Sequence, residues 1–103
     1  MVSHAAPRLR ILPDVTGAFS NLFLAMIVYH VTSLKKLDRY RKTGRIVAPV
    51  RAWENIQQAH RMSVSTGRRV ILRLRFPDNA PKLDGHFNEA RVLHHDLPFR
   101  NFG

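Results

Sequence analysis

The chain has 103 residues, enough for one domain with one core, and its 45% apolar and 23% charged residues argue against wholesale disorder. It contains no cysteine, which excludes disulfide frameworks, thiol nucleophiles and cysteine-based zinc sites. Seventeen Lys and Arg against seven Asp and Glu give a net charge of +10, a balance that favours phosphate-bearing ligands, nucleic acid or an acidic membrane surface.

Residues 1–25 differ from the rest. They hold Pro7 and Pro13 and the helix-unfriendly run Asp14-Val15-Thr16-Gly17. They are read as an N-terminal extension, with Met26 as a candidate native start directly before the first clear strand. Arg8 and Arg10 precede an apolar run, but no small-residue cleavage pattern follows. Thr16, Gly17, Ser20, Asn21, His30, Thr32 and Ser33 dilute that run too heavily for a membrane span. The expected location is the cytoplasm. Residues 26–103 carry fifteen basic and six acidic side chains, nine of the ten net charges, and are read as a single basic α+β domain.

Within that domain, Ile27 to Val31 reads as a buried strand, rich in strand-favouring types. Thr32 or Ser33 then offers an N-cap oxygen for a helix on which Leu34, Leu37 and Tyr40 share one face, and Gly44 ends it. Arg45-Ile46-Val47 predicts a short strand closed by Pro49. The spacing of Trp53, Ile56, His60 and Val64 predicts a second helix over 52–65, with Gly67 as terminator. Val70, Leu72, Leu74 and Phe76 alternate with Arg69, Ile71, Arg73 and Arg75, predicting a strand with one core face and one cationic face. Residues 77–88 read as a loop and Ala90 to His95 as a last strand. The expected fold is therefore α+β: a small mixed sheet of about four strands with two helices, in the order strand, helix, strand, helix, strand, loop, strand.

Three constellations bear on chemistry. His30 ends the first strand beside a helix N-terminus, where backbone N–H groups hold anions and an imidazole can donate to ribose or phosphate. A single histidine in a strand is more often a structural residue. Arg73 and Arg75 lie on one side of their strand, about 7 Å apart. Arg69 and Arg91 would extend this row if the last strand paired alongside, forming a track for a phosphodiester backbone. The same charges would also protect an edge strand. His94 and His95, adjacent on a strand, would point to opposite faces, and no ligand spacing supports a metal site. Tyr29, Tyr40, Trp53 and Phe76 are assigned to the core. No nucleophile elbow and no phosphate-cradling glycine run is present.

Taken in order, Val28-Tyr29-His30-Val31-Thr32-Ser33, the Gly-ended turn Thr43-Gly44-Arg45-Ile46, the unit from Trp53 to Phe76 and Arg91 to Pro98 resemble the ADP-ribosyltransferase-like fold. The likeness is to its RNA 2′-phosphotransferase and DNA-modifying toxin branches, and it covers about 70 residues. It implies that His30 contacts a nicotinamide ribose with Thr32 beside it, that Arg73 assists, and that NAD is a candidate cofactor. Val31 stands where the family usually has glycine. Arg91 stands where many members place the catalytic glutamate, leaving Glu89 as the nearest carboxylate, so an enzymatic role is not assigned. The leading expectation is a nucleotide-binding domain acting on or binding NAD or a phosphorylated nucleic-acid end. The alternatives are a non-catalytic nucleic-acid-binding module using Arg69, Arg73, Arg75 and Arg91, and a small interaction or toxin-type protein meeting an acidic partner.

Overall fold

A computed structural model describes residues 9–13, 15, 25–82 and 90–100. Its longest pairing joins the two segments with the strongest strand signal. Strands β2 (Ala25–Thr32) and β5 (Val70–Pro77) run antiparallel in register from Ala25 opposite Pro77 to Thr32 opposite Val70. Directly opposed residues share a face, so Met26, Val28, His30 and Thr32 lie with Phe76, Leu74, Leu72 and Val70. All four of these β5 residues are fully buried in the main core cluster. The other face carries Tyr29, Val31, Ile71, Arg73 and Arg75.

Helix α1 (Leu34–Thr43) covers the first face, burying Leu37 and Tyr40, while Leu34 stays largely exposed. Ser33 caps it by accepting the Lys36 amide at 3.1 Å, worth about 1 kcal/mol. Gly44 ends it at φ 72°, a conformation that side chains other than glycine's rarely adopt. Helix α2 (Ile56–Thr66) covers part of the second face. It starts later than the periodicity predicted. Val50–Trp53 forms strand β4, with Val50 and Ala52 in the main core and Trp53 on the other face, and Asn55 caps the helix by accepting the Gln57 amide at 2.7 Å. The predicted helix face also fails. Ile56 and Val64 are exposed, whereas Ala59 and Ser63 are buried, because small side chains let the helix backbone approach the sheet.

Among the described residues there are seven strands, against about four expected. Five form one sheet in the order β1-β5-β2-β4-β6, where β1 is Arg10–Leu12 and β6 is Ala90–Leu93. β1 falls within the segment read as an extension, yet it pairs parallel to β5, with Arg10 opposite Val70 and Leu12 opposite Leu72. Leu12 packs on the main core, Leu9 on the second cluster, and Val15 is buried. The predicted strand at 45–47 is the two-residue β3 (Arg45–Ile46). It lies outside the main sheet, paired with β7 (Leu97–Pro98). His94 and His95 follow the end of β6 on an exposed bend, so the strand argument that opposed their rings does not apply. Among the described residues no helix is long and apolar enough to cross a membrane.

Candidate functional site

Strands β2 and β4 pair at one register position, Tyr29 opposite Trp53. Beyond it the ladder is interrupted, and the His30 side chain bridges the two strands. Its Nδ1–H donates to the Arg51 carbonyl at 2.6 Å, since a carbonyl can only accept. In a neutral ring this leaves Nε2 as acceptor, and the Tyr40 hydroxyl lies 3.3 Å away to donate to it. Thr32 Oγ1 in turn donates to the Tyr40 oxygen at 3.5 Å. The chain Thr32–Tyr40–His30–Arg51 carbonyl thus ties α1, β2 and β4 together at the interruption.

The ring is held neutral. Desolvation, with added repulsion from Lys36 and Arg68, outweighs the Arg51 hydrogen bond and lowers the His30 pKa from 6.5 to about 4. Because the unfolded chain takes up this proton first, the stabilisation is complete above pH 6.5 and is lost as pH falls toward 4. The shift sets an upper bound of about 3 kcal/mol, and partial exposure of the ring reduces it to roughly 1–2 kcal/mol. Urea midpoints between pH 7 and 4.5 are expected to fall more steeply for the native chain than for His30→Gln. Parallel slopes would show that this ring is not the titrating group.

Around His30 opens a cleft of about 600 Å³. Lys36 and Arg39, one turn apart on α1, line one wall, and Arg51 of β4 and Arg68 after α2 line another. Tyr40 and Trp53 supply aromatic lining. No carboxylate lines the cleft among the described residues, and the ion pairs there, Lys42–Asp38, Arg45–Asp96 and Arg91–Glu54, use none of the four cleft cations. The first turn of α1 also lacks an acidic residue. Four cations that line one cleft can pair with an anion of several charges.

The residues expected to act together are distributed unequally. His30 lies in the cleft. Thr32 is fully buried behind it, positioned to support Tyr40 and not to reach a ligand. Arg73 and Arg75 are on the opposite sheet face from His30; Arg73 is exposed, and Arg75 is half-buried and already engaged within the fold. Arg69 precedes β5, its carbonyl accepting the Arg10 amide at 2.8 Å.

Arg91 does not extend the arginine row. β6 is separated from β5 by β2 and β4, about 14 Å away by strand spacing. Arg91 is also opposite Ala52, on the other face from Arg73. Its guanidinium donates to Glu54 at 2.8 Å and to the Ala80 carbonyl at 2.6 Å, which commits it to the fold. Glu89 lies outside the described residues. Among those residues no group of three or more His, Cys, Asp or Glu comes together to hold a metal ion.

Sequence reasoning placed charge on the helix after His30 but named none of Lys36, Arg39, Arg51 and Arg68 as a site residue. The i, i+3 spacing of Lys36 and Arg39 beside His30 was a usable signal. Arg51 and Arg68 carried none while Trp53 was assigned to a helix. No family model matches the chain, and neither a curated protein nor a solved structure matches it.

Proposed function

We propose that this domain binds the phosphate groups of a nucleotide in the His30 cleft. The observation that carries the reading is the set Lys36, Arg39, Arg51 and Arg68, which converges on one cleft without a lining carboxylate among the described residues. Arginine forks match phosphate oxygens, and a charge-assisted bond is stronger than a neutral one. Trp53 and Tyr40 place aromatic rings in the cleft lining beside the charges. Neutral His30, committed through both ring nitrogens, acts as a strut of the cleft. The ADP-ribosyltransferase-like resemblance makes NAD one candidate ligand. Transfer chemistry on it would need a carboxylate at the ribose, which the described lining lacks.

Trp53 is the single tryptophan of the chain and lines the cleft, so its fluorescence reports occupancy directly. Titration with ATP, ADP and NAD is expected to give a saturable change that weakens as salt rises. A folded sample whose emission and calorimetric heat stay flat with all three would remove the reading.

A further inference from the structure

His30 belongs to two parts of the molecule at once. Its hydrogen bonds are made within the fold, while its side chain lines the cationic cleft. From α1 the lining includes Lys36, Arg39 and Tyr40, from β4 Arg51, and Arg68 follows α2. Met62 and Thr66, the α2 residues of the lining, carry no charge. On β5 the residue opposite His30 is Leu72, and Arg73 and Arg75 lie on the other sheet face. Among the described residues the charge lining the cleft is therefore positive only, and Lys36 and Arg68 both disfavour the charged ring. A polyanion held by the four cations reverses the sign of that field. It adds little to the desolvation already acting on the ring, because both ring nitrogens are engaged within the fold.

The hydrogen bonds accommodate a second ring proton. The Arg51 carbonyl accepts from Nδ1–H in either state. Tyr40 is the adaptable partner, since a hydroxyl both donates and accepts. It donates to Nε2 of the neutral ring. Once Nε2 carries a proton, the Tyr40 oxygen accepts at the same 3.3 Å, and its own proton is free to turn toward Thr32 Oγ1 at 3.5 Å. No bond across the interruption between β2 and β4 has to break. We propose that filling the cleft with a phosphate anion is coupled to uptake of one solvent proton at His30 Nε2, so that acid strengthens binding. This rests on the nucleotide reading of the cleft and adds the regulation of that site. A ligand that raises the proton affinity of a group is itself bound more tightly as pH falls into that group's range.

The test is calorimetric titration with ATP at pH 5 and 7, in buffers of different ionisation enthalpy, on the native chain and on His30→Gln. The ATP phosphate titrates in this range for both proteins, so the difference between them isolates the ring. An anion nearby should raise the half-titration point of His30 by about 1–2 pH units. At pH 5 the native chain is then expected to take up about 0.4–0.8 proton more than His30→Gln. Its affinity should gain about twofold to tenfold relative to the variant between pH 7 and 5. Circular dichroism checks both folds at each pH. A second readout needs no variant: NMR of the His30 ring, assigned through the Tyr40 ring whose centroid lies 6.2 Å away, should show the same upward shift in saturating ATP. ATP that binds while the ring titrates as in the free protein overturns the inference and leaves the nucleotide reading in place. So does equal proton uptake by the two folded proteins. Failure of ATP to bind removes the inference, and if ADP and NAD fail as well the nucleotide reading goes with it.

Discussion

Replacing Arg51 and Arg68 together by Gln is expected to weaken nucleotide binding by about 100-fold or more. Each is an exposed residue in the cleft lining, and neither takes part in an ion pair among the described residues. The expectation follows from two charge-assisted phosphate bonds at about 1.5–3 kcal/mol each. Stability should change by less than about 0.5 kcal/mol per site, because the His30 bond goes to the Arg51 backbone carbonyl and survives the side-chain change. The control is Arg41→Gln with Arg61→Gln. Both are exposed helix residues outside the cleft, and the pair removes the same net charge. A loss of affinity equal in the two double variants would assign the effect to overall charge and take the cleft out of the account.

Phe76→Ala is expected to be the most destabilising single change. Phe76 is fully buried at the end of β5, opposite Met26 and within the main core cluster. Truncating a buried Phe costs about 3–5 kcal/mol, from lost transfer energy and the cavity left behind. A domain of this size has about 5–15 kcal/mol in total, so the variant sits near the edge of folding at body temperature. With a urea slope of about 1–3 kcal/mol per molar, the midpoint should fall by roughly 2 M. Val64→Ala makes the contrast: it removes methyl groups from a residue that is 59% exposed, and the midpoint should stay nearly constant. A Phe76→Ala midpoint close to the native value would mean that β5 presents its other face to the core.

Much of β5 was legible because its signal is local. Val70, Leu72, Leu74 and Phe76 alternate without interruption, and all four are buried. Ile71 broke the second half of that reading. It was assigned to the cationic face, yet it is fully buried, since α2 packs over that end of the sheet. The position of α2 is a tertiary fact that no alternation encodes. β4 was missed for a related reason. Trp53 matches the helical spacing of Ile56, His60 and Val64, whereas its neighbours Val50 and Ala52 gain their burial from strand partners on β6, about 40 residues away.

The clef residues divide in the same way as the fold. His30 was identifiable as a candidate because a strand end, a cap and a helix start lie within four residues of it, and those preferences act over one turn of chain. Composition by itself determined that the chain is strongly basic, and the sequence placed the ends of α1 at Thr32 or Ser33 and at Gly44, of which the structure uses Ser33 and Gly44. Tertiary structure decided which cations meet. Arg91, expected beside Arg73, is carried to the far edge of the sheet and tied to Glu54, while Arg51 and Arg68 come to His30 from β4 and from beyond α2. The physical reason is that charge attracts at any register and leaves no periodic trace. Its location follows from strand order and from the interruption between β2 and β4, both products of long-range pairing.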